Sequence, residues 1–340
     1  MLAEPPGLDL TLYIGAAARI IVPPFVLERF VMQAAKPVDG LAVGLMAVLC
    51  AIWGFQQVTL KAAAPDVAPV FQLALRSGGA ALLVILLMTL RREWRHTVPG
   101  SWRPGLAVGG LFALEFLLVG EGLRYTTASH MVVFLYTAPI FAALGLHYFL
   151  PHERLNAVQW LGILVAFAGT AVAFSGKLFE SGGGQQLWGD ALGLLGAVAW
   201  AATTLTARCT RLATARVSLV LLYQLVGAFV LLFAASLLTG QAHFNPTPIA
   251  VASLTFQTLV VSFGSFLAWF WLLGNYLASR VGVLSFMTPL FGVVFGVVLL
   301  GEPLEPAFVI GAVLVMAGIL LVSGHEYLRR RATGLRSNIR

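Results

Sequence analysis

Apolar runs close to 20 residues long recur along the whole chain, and this spacing constrains the fold more than any single residue does. Each run can cross a hydrocarbon core of roughly 30 Å as an α-helix, which satisfies its own backbone hydrogen bonds in lipid. Read between Pro, Gly and charged breaks, the sequence gives ten spans. The first five cover Asp39–Leu60, Pro69–Leu90, Pro104–Gly120, Ala128–Phe149 and Asn156–Phe174. A Gly-rich link, residues 175–187, separates them from Trp188–Ala207, Val217–Leu238, Pro248–Leu273, Ser279–Leu300 and Leu304–Val322. Only 10% of the 340 residues are charged, against about 25% in a soluble domain, too few to coat a water-facing surface. The expected class is an all-α polytopic membrane protein with ten transmembrane helices.

The net charge of +7 would suggest nucleic acid in a soluble protein. In a membrane protein it reports orientation, because Lys and Arg gather on the cytoplasmic side. Ten alternating spans put every Lys and Arg on the side of the two termini except Lys61, Arg124, Lys177 and the intramembrane Arg76. Both termini are therefore expected in the cytoplasm, with the chain in a bacterial-type inner membrane and no nucleic-acid partner. Residues 1–38 form an N-terminal extension whose apolar stretch is too short to span and carries Arg19. It reads either as an interfacial segment or as residues ahead of a start at Met32. Residues 325–340 read as a basic cytoplasmic tail.

An internal repeat organises the spans. Residues 129–169 lie over 279–318, matching Ser129 with Ser279, Pro139 with Pro289, Glu153 with Glu302 and Gly169 with Gly318, with one residue gapped. Residues 39–174 and 188–324 thus read as two copies of a five-helix unit. An odd helix number inverts the second copy in the membrane, the arrangement of many secondary transporters.

These residues also carry a resemblance. Trp53-Gly54 followed by Lys61, Arg76 in "LALRSGGAALL", "YTTAS", Pro139, Glu153-Arg154, Trp200 and "NYLASRVGVLSFMTPLFGVVFGVVLLGEPL" are similar to the EamA family of the drug/metabolite transporter superfamily. The resemblance implies a ten-helix exporter-type carrier whose substrates range from amino acids to drugs. It leaves substrate, coupling ion, direction and oligomeric state open.

The polar residues within the spans are the candidate site. Arg76 and Glu115 fall at similar depth on adjacent spans, and an isolated intramembrane charge is costly. The pair reads either as a structural ion pair or as a substrate or proton-coupling site. Arg76 matches the family pattern and Glu115 departs from it. Trp53, Gln56 and Gln57 share one helix face in the first span, while His130 and Tyr136 are expected at comparable depth in the fourth. With Trp200, Gln257 and Trp269 from the second copy, Trp53, Gln57 and Tyr136 make an expected substrate pocket of aromatic walls and amides. Each of these residues also has a plain packing role available. Pro139 and Pro289 are expected hinges at equivalent places.

Catalytic and cofactor sites are not indicated. "SGGGQQ" lacks the Lys-Ser/Thr of a phosphate loop, and six scattered histidines and two dissimilar cysteines give no metal site. Ser129-His130 is the nearest approach to a nucleophile and base, but neighbours on a helix point about 100° apart. The expected activity is therefore not enzymatic. It is export of a small amphipathic solute such as an amino acid without ATP, or else proton-driven multidrug export; an intramembrane enzyme or scaffold is disfavoured.

Overall fold

The structure is a computed structural model that describes residues 39–96, 98–149, 155–178, 183–276, 284–285 and 287–337. The N-terminal extension, Glu153, Arg154 and Ser279 lie outside the described residues. Among those described, helices carry the fold, and the one β-bridge joins Val67 to Phe244 between two loops.

The helices are α1 (Gly40–Ala62), α2 (Pro69–Leu90), α3 (Trp102–Gly122), α4 (Ala128–Leu135), α5 (Ala138–Phe149) and α6 (Ala157–Leu178). They continue with α7 (Gly183–Cys209), α8 (Val217–Leu238), α9 (Pro248–Thr255), α10 (Phe266–Asn275), α11 (Met287–Leu300) and α12 (Pro306–Ser337). Among the described residues seven segments are long and apolar enough to cross a membrane, and Ala157–Ala173, Met287–Leu300 and Pro306–Leu321 are shorter apolar helices. Large side chains such as Leu82 and Leu238 stand 68% and 88% exposed. A water-facing surface does not carry so many, whereas lipid tails accommodate them.

Helix ends follow local chemistry. Asp39 accepts from Ala42 N at 2.9 Å to cap α1, Thr127 accepts from His130 N at 3.1 Å to cap α4, and Thr247 caps α9. Prolines open α2 and α9, where the missing N–H would have been unpaired anyway.

Helices run past the apolar spans read from sequence. Within residues 175–187, α6 continues to Leu178 and α7 begins at Gly183. Gln185 and Gln186 are good helix formers, and they extend the long α7 backwards. Similarly, α12 continues to Ser337 through the segment read as a tail.

Two interruptions matter for the site. The fourth span breaks at Tyr136 and Thr137, and Pro139 sits in the first turn of α5. Proline offers no N–H to the carbonyl four residues earlier, so that carbonyl, on Leu135, loses its helical donor. Pro289 likewise lies in the first turn of α11. The second interruption is a π-helical segment, Phe256–Ser265, between α9 and α10. Its wider turn brings Gln257, Val261, Ser262 and Ser265 onto one buried face.

Close backbone approach ties the bundle together. A Cβ on Gly109 of α3 would lie 2.6 Å from the carbonyl oxygen of Tyr223 on α8 and 3.3 Å from Gly227 Cα. Gly169 of α6 meets Gly311 of α12 in the same way, with the Gly311 oxygen 2.7 Å from the ideal Cβ position. Small residues at these crossings replace side-chain volume by backbone contact, as membrane helix pairs require.

Candidate functional site

The break in the fourth span and the π-helical segment each bring polar groups into the middle of an apolar bundle. Arg76, eight residues into α2 and 1% exposed, donates from Nη1 to Gln257 Oε1 at 2.6 Å. Gln257 spends its own amide nitrogen on α1, donating to Gln56 O at 2.9 Å and Thr59 Oγ1 at 2.7 Å. One glutamine therefore ties α1 and α2 to the π-helical segment. The guanidinium carbon stands 4.4 Å over the ring of Phe116 on α3, and a buried cation on an aromatic face is stabilised by the ring quadrupole.

Glu115 is the neighbour of that ring in sequence and is also buried. The structure does not form the ion pair that the sequence suggests. No Arg76 nitrogen lies within 4.0 Å of a Glu115 oxygen, although the two charges interact over a longer gap. The physical reason is that Gln257 takes Nη1 and Phe116 lies beneath the guanidinium. Arg76 Nε and Glu115 Oε2 are consequently both buried without a hydrogen-bond partner.

Further buried atoms without a hydrogen-bond partner lie on α1, the π-helical segment and α11. They are Gln57 Oε1 on α1, Ser262 Oγ in the π-helical segment and Thr288 Oγ1 in the first turn of α11. Leaving a buried polar atom unpaired costs roughly 1–3 kcal/mol, so a group of them marks a place where a ligand can supply partners.

The expected aromatic residues come together in two pairs. Trp53 and Trp269 meet edge to face with ring centroids 5.6 Å apart, and Trp53 Nε1 donates to Ser265 Oγ at 2.9 Å. Tyr136, at the break in the fourth span, meets Trp200 of α7 edge to face at 5.2 Å. Tyr136 is an electrostatic neighbour of Cys50 and Glu115, and the side chain of Thr288 is close to it. Gln57 is 2% exposed, and its Oε1 is buried without a hydrogen-bond partner.

His130 is the residue whose expected place changes. It does not share the depth of Tyr136; it lies in the first turn of α4, about 9 Å nearer the Lys61 end at 1.5 Å per residue. There it bonds to Asp190 of α7, while Ser129 bonds to Glu302, so the adjacent serine and histidine serve different partners. Asp190 and Glu302 were not among the expected site residues. Asp190 carries the same signal as Glu115, an acid inside an apolar run, and Glu302 was visible only as a repeat position. Among the described residues no group of three or more His, Cys, Asp or Glu is placed to hold a metal ion.

A buried polar centre flanked by aromatic pairs inside a lipid-facing helical bundle fits a membrane carrier. The chain belongs to the EamA-like transporter family, whose model matches residues 40–175 and again 187–324. It is 23% identical over 271 residues to an uncharacterized transporter, YoaV, of Bacillus subtilis, covering 79% of this chain and 92% of the relative. It is 28% identical to a probable amino-acid metabolite efflux pump of Salmonella typhimurium and 27% identical to one of Escherichia coli. Both alignments cover 82% of this chain and 93% of the relative. A crystal structure of a protein 20% identical in sequence superposes with a TM-score of 0.60 over 84% of this chain and 97% of that one. The protein is therefore a multi-pass membrane transporter.

Proposed function

We propose that the protein is a secondary transporter that exports small amphipathic metabolites, amino acids among them, across the inner membrane by alternating access. The observation that carries this reading is the coexistence of Arg76 Nε and Glu115 Oε2, buried and unpartnered, beside the Trp53–Trp269 and Tyr136–Trp200 pairs. A zwitterion offers a carboxylate to the first and an ammonium to the second, and its side chain an apolar contact for the rings. The printed names of the Salmonella and Escherichia relatives point the same way.

The architecture that goes with this reading is ten membrane helices in two inverted five-helix repeats with both termini in the cytoplasm. The double match of the family model supports the duplication, and the distribution of Lys and Arg supports the orientation. The α4–α5 and π-helical interruptions fit sites built from discontinuous helices, with Pro139 and Pro289 as hinges.

A second reading, proton-driven multidrug export, is favoured by Glu115 Oε2, because a buried carboxyl oxygen without a donor is a place for a proton.

The test compares the metabolites of medium and cytosol in cells with and without the protein. Amino acids or other small zwitterions that rise in the medium, and fall inside, support the first reading. Protection from unrelated toxic cations with no such metabolite change would favour the second. Single cysteines at Gly183 and Gly334 are expected to react with an impermeant reagent from opposite sides, and labelling of both from one side would overturn the inverted repeat.

A further inference from the structure

Away from the central site, at the end of the bundle where α1 stops, a cleft of about 500 Å³ opens between the α1–α2 turn, the end of α3 and the loop after α8. Its walls include Lys61, Ala64, Pro69, Arg124, Gln241 and His243. Local chemistry fixes that loop. Gly240, at φ +68°, ends α8 in a Schellman turn, with Gly240 N bonded to Leu237 O at 3.3 Å and Gln241 N to Ser236 O at 2.8 Å. Beyond it, Asn245 Nδ2 and Thr247 Oγ1 donate to the Asp66 carboxylate at 2.9 and 2.6 Å, which clamps the loop to the α1–α2 turn. Lys61 and Arg124 fall in the first family match and Gln241 and His243 in the second, so both halves of the chain build the cleft.

Hydrogen bonds set which atoms are left for a ligand. Glu121 accepts from Gln241 Nε2 on one oxygen and from Arg124 Nη1 on the other, each at 2.7 Å. The Gln241 amide is thereby held with its nitrogen on the acid, and its Oε1 is buried without a partner, an acceptor that a ligand donor can satisfy. Lys61 donates to the carbonyls of Leu123 and Thr126, each at 2.5 Å, which engages two of its three ammonium protons. Arg124 is 46% exposed, with guanidinium donors beyond the one on Glu121. Ala68 begins α2 without a side-chain cap and, with Pro69, lines the cleft, so the positive end of a 22-residue helix also meets it.

We propose that this cleft is a second binding site, which holds a small zwitterion, with carboxylate and ammonium on one short solute, at the Lys61 end of the transporter. The charges around it favour that class over a bare anion. Lys61 and Arg124 line the cleft, but Glu121 backs Arg124 and Gln241, and Glu302, which caps α4 through Ala128 N, Ser129 N and Ser129 Oγ, interacts with Lys61 over a longer gap. Two cations and two carboxylates attract a lone anion weakly. A zwitterion instead puts its carboxylate toward Lys61, Arg124 and the start of α2, and its ammonium on Gln241 Oε1, the acceptor whose own amide nitrogen is bonded to Glu121. The site rests on the export reading only in taking the solute to pass this end.

The experiment follows labelling of Ala64→Cys, a half-buried position in the cleft wall, by a neutral maleimide in the purified full chain with Cys50 and Cys209 replaced by Ala. The probes are glycine, acetate and methylammonium. Glycine is expected to slow labelling at about a tenth of the concentration that acetate needs, because its ammonium adds a charge-assisted bond. Methylammonium at those concentrations should leave the rate unchanged. Gln241→Leu removes the advantage of glycine, raising its half-protecting concentration about tenfold, to that of acetate. Arg124→Gln weakens glycine and acetate alike. Labelling that ignores glycine, or glycine no better than acetate or methylammonium, overturns the site. So does protection by glycine that is unchanged in Gln241→Leu, because solute bound at the central site would then be closing this end from within. Should Gln241→Leu fail to fold, the order of the three probes in the parent still decides. The assay reads binding and not flux, so failure of the export reading leaves the cleft standing, and an unprotected cysteine leaves the export reading to its own test.

Discussion

Arg76 Nη1 and Gln257 Oε1, 181 residues apart in sequence, are joined by a 2.6 Å hydrogen bond that links α2 to the π-helical segment. Both side chains are almost completely buried, so the bond gives a cation inside the bundle a hydrogen-bond acceptor beside the Phe116 face. Gln257→Leu is expected to destabilise the purified protein by about 3 kcal/mol, read as a lower thermal midpoint in detergent. Gln257→Glu, which keeps an acceptor facing Arg76, should lose much less. Equal midpoints for Gln257→Leu and the parent would show that Arg76 draws its compensation from elsewhere.

Helix crossings give a matched pair of substitutions. A Cβ on Gly109 would press on the Tyr223 carbonyl at 2.6 Å, whereas nothing lies within 4 Å of one on Gly110. Gly109→Val is therefore expected to cost at least about 2 kcal/mol through overpacking, and Gly110→Val to be neutral within about 0.5 kcal/mol. The two residues are adjacent on α3, so helix propensity and hydropathy cancel in the comparison. Similar folded yields for both variants would argue against the α3–α8 crossing.

How much of this was legible in sequence depends on what sets each feature. The bounds of α2 and α8 coincide with Pro69–Leu90 and Val217–Leu238, because an apolar run ended by proline or arginine leaves little choice of register. The break at Tyr136 was readable from Pro139, since a missing N–H acts whatever packs around it. The π-helical segment was not, because the extra residue in its turn answers to contacts with α1 and α2, which hydropathy does not encode. The same holds for the Arg76–Glu115 separation. Depth set the two charges at the same level, but only the fold shows that Gln257 accepts from Arg76 Nη1 and that the guanidinium stands over Phe116. His130 was misplaced because depth was assigned from span membership, whereas its bond to Thr127 puts it in the capping turn.

At the opposite end of the bundle from Lys61, Asp39 caps α1 and also accepts from the Tyr276 hydroxyl at 3.0 Å. The Ala42 N–H is the largest influence on its carboxyl, which is held below the usual aspartate range, with the Tyr276 hydroxyl acting in the same direction. A lowered folded value contributes stability above the unfolded pKa and loses it as the pH falls through the folded one. Asp39→Ala should thus be less stable than the parent at neutral pH, with the gap closing in strong acid. Denaturation curves in detergent across that range decide it; a gap that widens on acidification contradicts the assigned cap.

Glu115 is where the two proposed readings of transport can be told apart. Its Oε2 is buried without a donor, and Arg76 is engaged by Gln257 and stacked on Phe116, so the carboxyl is free to exchange a proton or to receive a substrate ammonium. The two roles separate experimentally in liposomes carrying purified protein. As a proton carrier, Glu115 makes uphill accumulation depend on a pH gradient, and Glu115→Gln keeps downhill flux while losing accumulation. As the ammonium partner of a zwitterion, it makes Glu115→Gln raise the half-saturating substrate concentration, by about tenfold for a lost charge-assisted bond of roughly 1.5 kcal/mol. In that case a pH gradient drives no accumulation in the parent either. The stacked, glutamine-bound state of Arg76 leaves Nε buried without a partner for a substrate carboxylate to meet, and a zwitterion that uses Nε also needs its ammonium met at Glu115. The expected outcome is therefore the binding defect, with downhill exchange slowed at low substrate and restored at high substrate. Accumulation driven by a pH gradient in the parent and abolished in Glu115→Gln, with half-saturation unchanged, would instead establish the proton-driven reading.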